Sequence, residues 1–367
     1  VLITSYDLLR RDLEIYESCT FFYQILDEAQ YIKNHMTMNA KAVKQINAAY
    51  RLALTGTPIE NSLSELWSIF DYLMPGYLYS YTRFRKQFEM PIMKNEDAAA
   101  RNRLRKMTAP FLLRRSKSQV LSDLPEKDEK TIYSGMEDEQ RKLYLAAHKQ
   151  LVDQLQGIDS AYYEKNKIFI LSQLTKLRQI CCHPALCYDD YQGSSAKLEA
   201  CMELVQRAVK GKHKVLLFSQ FTSMLDLIRE RLAEQNTKYY CLTGNTDKQE
   251  RQRLVDEFQN DDTPVFLISL KAGGTGLNLT AADIVIHYDP WWNVAAQNQA
   301  TDRTHRIGQE KQVMVYKLIT SDTIEENILN LQEAKRNLAD QIVTGGGISF
   351  GELTKADILK MIEESRP

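Results

Sequence analysis

The sequence has 367 residues, 44% of them hydrophobic, with 47 lysines and arginines against 48 aspartates and glutamates and a formal net charge of −1. This length exceeds one ordinary domain and can bury more than one core, and the balanced charge excludes a uniformly basic protein, so any nucleic-acid surface must be local. No apolar run reaches the length of a transmembrane helix, and no signal peptide is visible.

The first segments predict two strands. Residues 1–4 (Val-Leu-Ile-Thr) are typical of the middle of a buried strand, and no methionine precedes them. The apolar residues 21–26 predict a second buried strand that runs directly into Asp27 and Glu28. In nucleotide hydrolases, one carboxylate at such a position holds Mg²⁺ while its neighbour orients or deprotonates a water. An acidic strand end or a helix N-cap is the alternative.

Residues 55–57 (Thr-Gly-Thr) close a further predicted strand. The glycine permits a tight turn, and the hydroxyl groups can bond either a water beside a phosphate or Glu28. The alternative is an ordinary turn in which Pro58 begins a helix. Up to about Tyr72, short apolar runs alternate with helical stretches, as a parallel sheet requires.

From Met74 to roughly Asp190 the pattern predicts helices throughout. A basic stretch in this region suits either direct phosphate contact or a solvated helical face. The tyrosines at 77, 79 and 81 suit either a core or a stacking strip. The basic residues are Arg101, Arg103, Arg105, Lys106, Arg114, Arg115 and Lys117.

A cluster of cysteines falls at Cys181, Cys182 and Cys187, next to His183. Structural zinc sites pair two such ligand units across a loop, and the sequence has no second unit. The cluster therefore predicts buried thiols at a helix end, consistent with a reducing compartment.

After a small-residue linker at 192–195, strand and helix signals alternate again, which predicts a second, doubly wound parallel sheet. In the tail, Thr354 and Asp357 are spaced like a capping box and predict a short terminal helix. The strands are predicted at 215–218, 239–242, 265–268, 284–288 and 313–316.

Ligands of an open parallel sheet collect at the carboxyl ends of its strands. Residues 273–276 (Gly-Gly-Thr-Gly) follow one predicted strand and can bring backbone amides close to a phosphate. Trp291 and Trp292 follow another and suit either packing or base stacking.

Residues 297–309 place Arg303 and Arg306 at i, i+3 on a predicted helix that Gly308 ends. Both guanidinium groups are then expected on one face, beside Asp302 and His305. Such a pair suits the stabilisation of charge on a transferring phosphoryl group, and a solvated helix face is the alternative.

Together these segments closely resemble the Swi/Snf (sucrose non-fermenting) family of double-stranded-DNA translocases, within helicase superfamily two. The resemblance covers nearly the whole chain. Residues 27–30 resemble the Walker B box, 54–61 motif III, 111–115 and 177–184 segments of the family insertion, 218–221 motif IV, 273–279 motif V and 297–309 motif VI.

The resemblance implies an α/β fold with RecA-like (P-loop NTPase) lobes and parallel sheets, the first lobe partial, joined by a helical insertion. The expected domains are 1–75, the C-terminal part of the first lobe (helicase ATP-binding domain); 76–190, the insertion; 191–340, the second lobe (helicase C-terminal domain); and 341–367, a tail helix.

The resemblance also assigns roles: ATP is expected between the lobes with Mg²⁺, Glu28 as the base, and Arg303 and Arg306 as arginine fingers. Nucleotide contacts are expected from Asp27, which holds the metal, and from Gln30, Gly274, Gly276, Gln299 and Asp302. Contacts to double-stranded DNA are expected from Thr4, Ser5, Thr55, Thr57, Gln220, Gly244, Thr246, Arg251, Thr275, Asn278 and Trp292.

One feature departs from the family: the chain has no Gly-x-x-x-x-Gly-Lys-Ser/Thr loop to hold phosphates. We therefore expect a fragment of an ATP-driven DNA translocase that does not hydrolyse ATP on its own. A non-enzymatic DNA-binding or protein-docking module stays open, as does a strand-separating DNA or RNA helicase, against which the long insertion argues.

The partners expected from the resemblance are double-stranded DNA and a DNA-bound complex such as a nucleosome or RNA polymerase. No membrane and no small-molecule substrate other than ATP are expected. The protein is expected in the cytoplasm of a bacterium or in the nucleus of a eukaryote.

Overall fold

The computed structural model describes residues 1–56, 63–95, 97–113, 115, 124–157, 159–273, 277–292, 294–330, 332, 358–359 and 362. These residues form two compact units. Unit 1 comprises the described residues up to 115, and unit 2 comprises those from 124 onward. Thr57, Gly274, Thr275, Gly276, Thr354 and Asp357 lie outside the described residues.

Unit 1 is built from two parallel strands and short helices. Strands β1 (Thr20–Leu26) and β2 (Asn47–Ala53) pair along their whole length. Its helices are α1 (Tyr6–Arg11), α2 (Leu13–Glu17), α3 (Met38–Gln45), α4 (Leu63–Leu73), α5 (Tyr81–Phe84), α6 (Met90–Asn95) and α7 (Ala98–Thr108), with a π-helical turn at Arg85–Glu89. Helix α3 makes the crossover that a parallel pair requires.

Two apolar clusters hold unit 1 together. One packs β1 and α3 around Leu26, Val43 and Tyr72. The other packs α4 against α7 around Phe70 and Leu104. The segment that follows the carboxylate pair is thus anchored on the same core as β1, because Ala29 and Ile32 also belong to the first cluster.

Two predictions about strand burial in unit 1 are wrong. Residues 1–4 lie in no strand and are exposed. Strand β1 exists as predicted, but Phe22 is 69% exposed, Ile25 is exposed as well, and the Phe22 ring lies 5.1 Å from that of Tyr50. A parallel strand is buried only where helices cover its faces. The described residues of unit 1 leave these side chains uncovered.

Unit 2 is centred on a six-stranded parallel sheet in the order β3-β8-β7-β4-β6-β5. The strands are β3 (Lys127–Ser134), β4 (Val215–Ser219), β5 (Tyr239–Leu242), β6 (Val265–Ser269), β7 (Ile284–His287) and β8 (Val313–Thr320). The five strands predicted for this sheet are confirmed. The strand order reverses between β4 and β7, and this switch point is where such sheets form their ligand crevice.

Strand β3 was missed, since the region from Met74 to Asp190 was predicted to be helical throughout. Residues 127–130 are all charged, and β3 lies at the edge of the sheet with most side chains exposed. Charged residues are common on edge strands because they discourage pairing with other chains. An edge strand of this kind lacks the apolar run by which the other five are recognised. The four domain ranges expected from the sequence stay a prediction.

Helices cover both faces of the sheet of unit 2. Leu217 belongs to the cluster on one face and Phe218 to the cluster on the other, as the alternation of side chains along a strand requires. This confirms the predicted doubly wound arrangement. The helices are α8 (Asp138–Gln156), α9 (Ser160–Cys182), α10 (Ala196–Lys210), α11 (Thr222–Glu234), α12 (Lys248–Asn260), α13 (Leu270–Gly273) and α14 (Val294–Thr301).

The carboxyl end of α9 is fixed within unit 2 by side chains that bond the carbonyls of residues 180–182. Gln140 donates to the first two carbonyls, at 2.8 and 3.3 Å, and Thr320 donates to the second at 3.1 Å. Ser195 and Tyr288 donate to the third at 3.0 and 2.9 Å. The last carbonyls of a helix lack helical partners, so these bonds satisfy a buried helix end.

The predicted buried thiols are confirmed at Cys181 and Cys182. Burial raises the pKa of both thiols, so they are poor nucleophiles. Within the described part of the chain, no group of three histidine, cysteine, aspartate or glutamate side chains is arranged to hold a metal ion. None of the described helices combines the length and apolar character needed to cross a bilayer.

Candidate functional site

The carboxylate pair of unit 1 lies where β1 ends. Asp27 is exposed and Glu28 is half-buried. Glu28 has φ 50° and ψ 51°, and its N–H donates to Asp27 Oδ1 at 2.9 Å. A non-glycine residue in this left-handed region costs on the order of 1–3 kcal/mol, and such residues concentrate at functional sites. The strained turn presents both carboxylates at the carboxyl end of the sheet.

Glu28 is linked to the end of β2 through Gln30. Gln30 Nε2 donates to Glu28 Oε2 at 2.5 Å, and Thr55 Oγ1 donates to Gln30 Oε1 at 3.0 Å. Of the two partners considered for the hydroxyls at 55 and 57, Glu28 is reached from Thr55 through the amide of Gln30. The chain from Thr55 to Glu28 fixes the orientation of the candidate base relative to the second strand end.

Tyr6 braces the same turn, a role that the sequence did not indicate; the family resemblance places Tyr6 with Thr4 and Ser5 in a segment expected to contact DNA. Its hydroxyl donates to Asp27 O at 2.8 Å, and its ring lies 5.4 Å from that of Tyr31. Burial, and then the charges of Asp27 and Glu28, raise the pKa of Tyr6, so the phenol stays protonated and remains a donor. A single tyrosine early in a helix carries no sequence pattern that marks this contact.

Asp27 fits the coordination preferences of Mg²⁺. This ion is usually held by one or two carboxylates together with substrate phosphates and waters, rather than by a cage of protein ligands. An exposed aspartate beside a second carboxylate matches that donor set.

Two of the predicted DNA contacts in unit 1 make local bonds. Ser5 Oγ accepts from Leu8 N at 3.2 Å and caps α1, and Thr4 Oγ1 lies 3.0 Å from Tyr16 OH. Thr4 and Ser5 are both exposed. Their DNA contacts, like that of Thr55, stay a prediction.

The basic stretch of unit 1 lies partly on α7. Arg103 is exposed, lies 5.5 Å from the ring centroid of Phe88, and donates to Tyr79 OH at 3.2 Å. Tyr77 OH donates to Met107 O at 3.0 Å. The tyrosines at 77, 79 and 81 pack against the core of unit 1, which favours the core over a stacking strip. Arg114 and Lys117 lie outside the described residues.

In unit 2 the predicted helix that carries both arginines is wrong. Helix α14 ends at Thr301, before either arginine, and residues 302–308 form successive turns. The Thr304 hydroxyl donates to Thr301 O at 2.7 Å, and Leu279 N donates to Arg303 O at 3.0 Å. The Arg303 carbonyl therefore accepts from Leu279, which lies outside α14, and not from a residue one turn further along the chain. Gly308, at φ 99°, ends the turns rather than a helix.

The two arginines lie in different environments as a result. Arg303 is only 3% exposed. Arg306 is half-buried, with Nε donating to Asp302 O at 3.0 Å and Nη1 to Leu277 O at 3.4 Å. Asp302 and Gln299 are half-buried. The expected common face for both guanidinium groups is therefore absent from this loop, which we call the arginine loop (302–309).

Both ends of the arginine loop are held by buried polar side chains that the sequence did not mark. His287 Nε2 lies 2.8 Å from Thr301 Oγ1 at the beginning of the loop, and burial lowers the pKa of His287 to about 3. Gln309 Nε2 lies 3.0, 2.8 and 3.2 Å from the carbonyls of Thr280, Ala282 and Thr304 at its end. A glutamine after a glycine is typical of an exposed turn, so only the fold reveals that Gln309 bonds these carbonyls.

Three other predicted DNA contacts, Gly244, Thr246 and Asn278, lie in loops of unit 2, and a fourth, Arg251, lies on α12. Thr246 Oγ1 accepts from Thr243 N at 3.1 Å, and Gly244 beside it is exposed. Arg251 Nη1 lies 3.5 Å from Ala272 O. Asn278 is exposed. These residues follow different strands, and their contacts with DNA stay a prediction.

Gln220 and Trp292 are brought together by Arg178, which was noted only as part of the insertion segment. Arg178 Nη1 donates to Gln220 Oε1 at 3.0 Å, and the guanidinium lies 5.4 Å from the ring centroid of Trp292. Trp292 is buried, so its indole is a packing residue in this structure, which is one of the two interpretations of the sequence. A DNA contact by the indole stays a prediction.

The doubly wound parallel sheet of unit 2 is of the RecA-like type. Comparison with known proteins places the chain further. The family model "SNF2-related domain" matches residues 1–186, and the model "Helicase conserved C-terminal domain" matches residues 196–308. The chain belongs to the SNF2-related family, as its sequence motifs predicted.

Curated relatives and a solved structure support the same family assignment. The chain is 39% identical over 367 residues to an "Uncharacterized ATP-dependent helicase" of Mycoplasma pneumoniae, covering 99% of this chain and 34% of the relative. It is 35% identical to the mouse (Mus musculus) "SWI/SNF-related matrix-associated actin-dependent regulator of chromatin subfamily A member 1", covering 99% of this chain and 36% of the relative. It thus spans about a third of these relatives.

The "Sulfolobus solfataricus SWI2/SNF2 ATPase core in complex with dsDNA" is similar in structure, with a TM-score of 0.55 and 39% identity over 97% of this chain and 75% of that chain. This likeness confirms the α/β fold with RecA-like lobes.

Proposed function

We propose that the whole protein is an ATP-driven motor that tracks along double-stranded DNA. The observation that carries this proposal is the bonded chain from Thr55 through Gln30 to Glu28, with Asp27 presented beside it. A hydrolase needs a carboxylate held in a fixed orientation toward its water, and these bonds would hold Glu28 in such an orientation.

Each residue has a defined role in the proposed reaction. Asp27 would hold Mg²⁺, which neutralises charge on phosphate oxygens when it is bound. Glu28 would orient and deprotonate the attacking water, with Gln30 keeping its carboxylate in place. The Glu28 N–H donates to Asp27 Oδ1 and so helps to fix the Asp27 carboxylate beside the turn.

The arginine loop of unit 2 would stabilise charge on the transferring phosphoryl group. Arg306 suits this role better than Arg303, because its side chain is half-buried while Arg303 is buried. The bonds of Arg306 Nε and Nη1 to backbone carbonyls fix the direction of the guanidinium before a nucleotide arrives. Such preorganisation is what electrostatic stabilisation of a transition state requires.

We propose that the protein translocates along double-stranded DNA and hydrolyses ATP to do so. A relative in structure is titled as a complex with double-stranded DNA, and a curated relative is named as a regulator of chromatin. Phosphate contacts do not depend on base identity, so we propose little sequence preference. The remodelled target is proposed to be a DNA-bound protein complex such as a nucleosome or RNA polymerase.

ATP hydrolysis by the whole protein, with duplex DNA, single strands or no DNA, tests the proposal. We expect duplex DNA to stimulate turnover, Glu28→Gln to abolish the stimulation, and ATP to drive displacement of a third strand from a triplex without unwinding of a forked duplex. The Glu28→Gln protein is the matched control for contaminating ATPases, since it keeps the shape of the side chain.

Two outcomes would replace the proposal. ATP-dependent unwinding of the forked duplex, stimulated by single strands alone, would indicate a strand-separating helicase. Duplex binding without any turnover by the whole protein would indicate a DNA-binding or docking module.

A further inference from the structure

Arg178 is a buried cation at the carboxyl edge of the sheet in unit 2. It lies on α9, within residues 177–184, and is 2% exposed. Its guanidinium donates to Gln220 Oε1 at 3.0 Å and to Pro290 O at 2.5 Å, and it lies 3.8 Å from Asp289 Oδ2. A buried charge is tolerated only when paired and hydrogen-bonded, so this geometry fixes Arg178 in place.

The contacts of Arg178 join two neighbouring strand ends. Gln220 follows β4, Asp289 and Pro290 follow β7, and these two strands are paired. Asp289 reinforces the junction because it accepts from Ser219 Oγ at 2.6 Å and from Gln220 N at 3.2 Å. Arg178 therefore lies at the point where the strand order reverses.

The bond from Arg178 also sets the orientation of the Gln220 amide. Because Oε1 accepts from the guanidinium, Nε2 is the donor that remains, and it has no hydrogen-bond partner among the described residues. A buried donor without an acceptor costs free energy, so an acceptor oxygen brought by a ligand would be favoured there. A DNA phosphate supplies such an oxygen.

We propose that Arg178 is a positioning residue that holds Gln220 and the 289–292 segment in the arrangement that binds duplex DNA. The inference rests on the proposed function, and it gives the family insertion a role, because α9 locks two loops of the sheet. The carboxyl end of α9 is itself fixed by the bonds to residues 180–182. Arg178 acts through Gln220, and the proposal needs no contact of its own with DNA.

Lys197 offers a matched control in the same unit. It is 1% exposed and bonds Glu325 at 2.8 and 2.7 Å, so its removal also leaves a buried carboxylate without its cation. Its ammonium lies 5.2 Å from the ring centroid of Tyr288, and its bonds do not reach Gln220. Lys197→Met and Arg178→Met should both lower the melting temperature of the whole protein.

The two variants should differ in DNA binding. We expect Arg178→Met to raise the Kd for duplex DNA about tenfold and Lys197→Met to change it by less than about twofold, as coupled and uncoupled sites do. The Gln220→Ala variant should weaken binding, and adding it to Arg178→Met should weaken binding little further. A Lys197→Met effect as large as that of Arg178→Met, or additive effects of Arg178→Met and Gln220→Ala, would overturn the inference.

Arg178→Lys keeps the experiment decisive if Arg178→Met does not fold. Lysine retains the charge opposite Asp289, but one ammonium cannot reproduce the fork that reaches Gln220 and Pro290 together. We expect near-normal melting with the Kd raised severalfold. Wild-type DNA affinity in Arg178→Lys would refute the positioning role.

Hydrogen exchange without DNA separates this inference from the proposed function. In Arg178→Lys, the amides of residues 219–221, 289, 291 and 292 should exchange faster than in wild type, whereas Lys197→Met should leave them unchanged. Unaltered exchange in Arg178→Lys would sink the inference alone. A wild-type protein that does not bind duplex DNA would sink the proposed function, while the exchange result would still decide whether Arg178 holds these loops.

Discussion

The two sheets of this molecule show how similar apolar strands reach different degrees of burial. Strand β1 of unit 1 and strand β6 of unit 2 are both rich in phenylalanine, isoleucine and leucine. Phe22 on β1 is 69% exposed, whereas Phe266 on β6 is fully buried. The difference comes from the surroundings: helices cover both faces of the six-stranded sheet, and the described residues of unit 1 leave part of β1 open. Apolar sequence permits burial, and neighbours provide it.

The candidate functional residues of the two units also differ in how close they lie to solvent. Unit 1 presents its carboxylates on a short, strained turn close to solvent, whereas unit 2 holds its arginine loop with buried bonds from His287 and Gln309. The first arrangement suits direct contact with metal and water. The second suits a group whose direction must be set in advance.

The largest expected effect tests whether the two units suffice for hydrolysis. The 367-residue chain lacks a phosphate-holding loop, so it should hydrolyse ATP no faster than its Glu28→Gln variant, with or without DNA. Phosphate release from the purified chain measures this. DNA-stimulated phosphate release well above that of the variant would mean that the carboxylates and the arginine loop support hydrolysis without the phosphate-holding loop.

The next effect separates the two arginines within unit 2. In the whole protein, Arg306→Ala should lower ATP turnover by about 10³-fold, as loss of an arginine finger does, with little change in melting temperature. Arg303→Ala should lower both turnover and melting temperature, because its side chain is buried. Turnover assays and thermal melts of the two variants measure these effects. Loss of DNA affinity with normal turnover in Arg306→Ala would make the loop a DNA contact.

A matched pair of phenylalanines tests the contrast between the sheets. Phe266→Ala in unit 2 should cost about 3–5 kcal/mol of stability, as is typical when a buried phenylalanine is truncated. Phe22→Ala in unit 1 should cost less than about 1 kcal/mol, because most of its ring remains in water. Urea titrations of the chain measure both. Equal costs would show that Phe22 is covered in solution.

The smallest effect concerns pH. Burial lowers the pKa of His287 to about 3, so the folded state keeps this imidazole neutral while the unfolded state protonates near its ordinary value. Its contribution to stability is therefore complete above about pH 6.5 and is lost as pH falls toward 3. Between pH 8 and pH 5 the loss should be about 2 kcal/mol.

Urea titrations at several pH values, with His287→Asn as the variant that removes the titration, measure this loss. His35 in unit 1 is half-buried and its pKa is also lowered, chiefly by burial and then by Lys44. His35→Asn should therefore reduce the slope of stability against pH less than His287→Asn does. A wild-type slope in His287→Asn would show that His287 is accessible to protons in the folded state.

The sequence by itself determined the parallel strands, the carboxylate pair and the family. Apolar runs of four to five residues marked β4 to β8, and Asp27 and Glu28 stood out because charge follows an apolar run directly. These features are local, so neighbouring residues suffice to specify them.

Tertiary structure alone decided the edge strand β3, the end of α14 at Thr301, and the positions of Arg178 and Gln309. The spacing of Arg303 and Arg306 suggested that the helix continues, but Leu279 N donates to the Arg303 carbonyl and the Thr304 hydroxyl bonds Thr301 O. The residue type alone does not show whether an arginine or a glutamine is buried or exposed. The bonds of Arg178 to Pro290 and of Gln309 to Ala282 join residues 112 and 27 positions apart in the chain, and only folding brings these groups within hydrogen-bond distance.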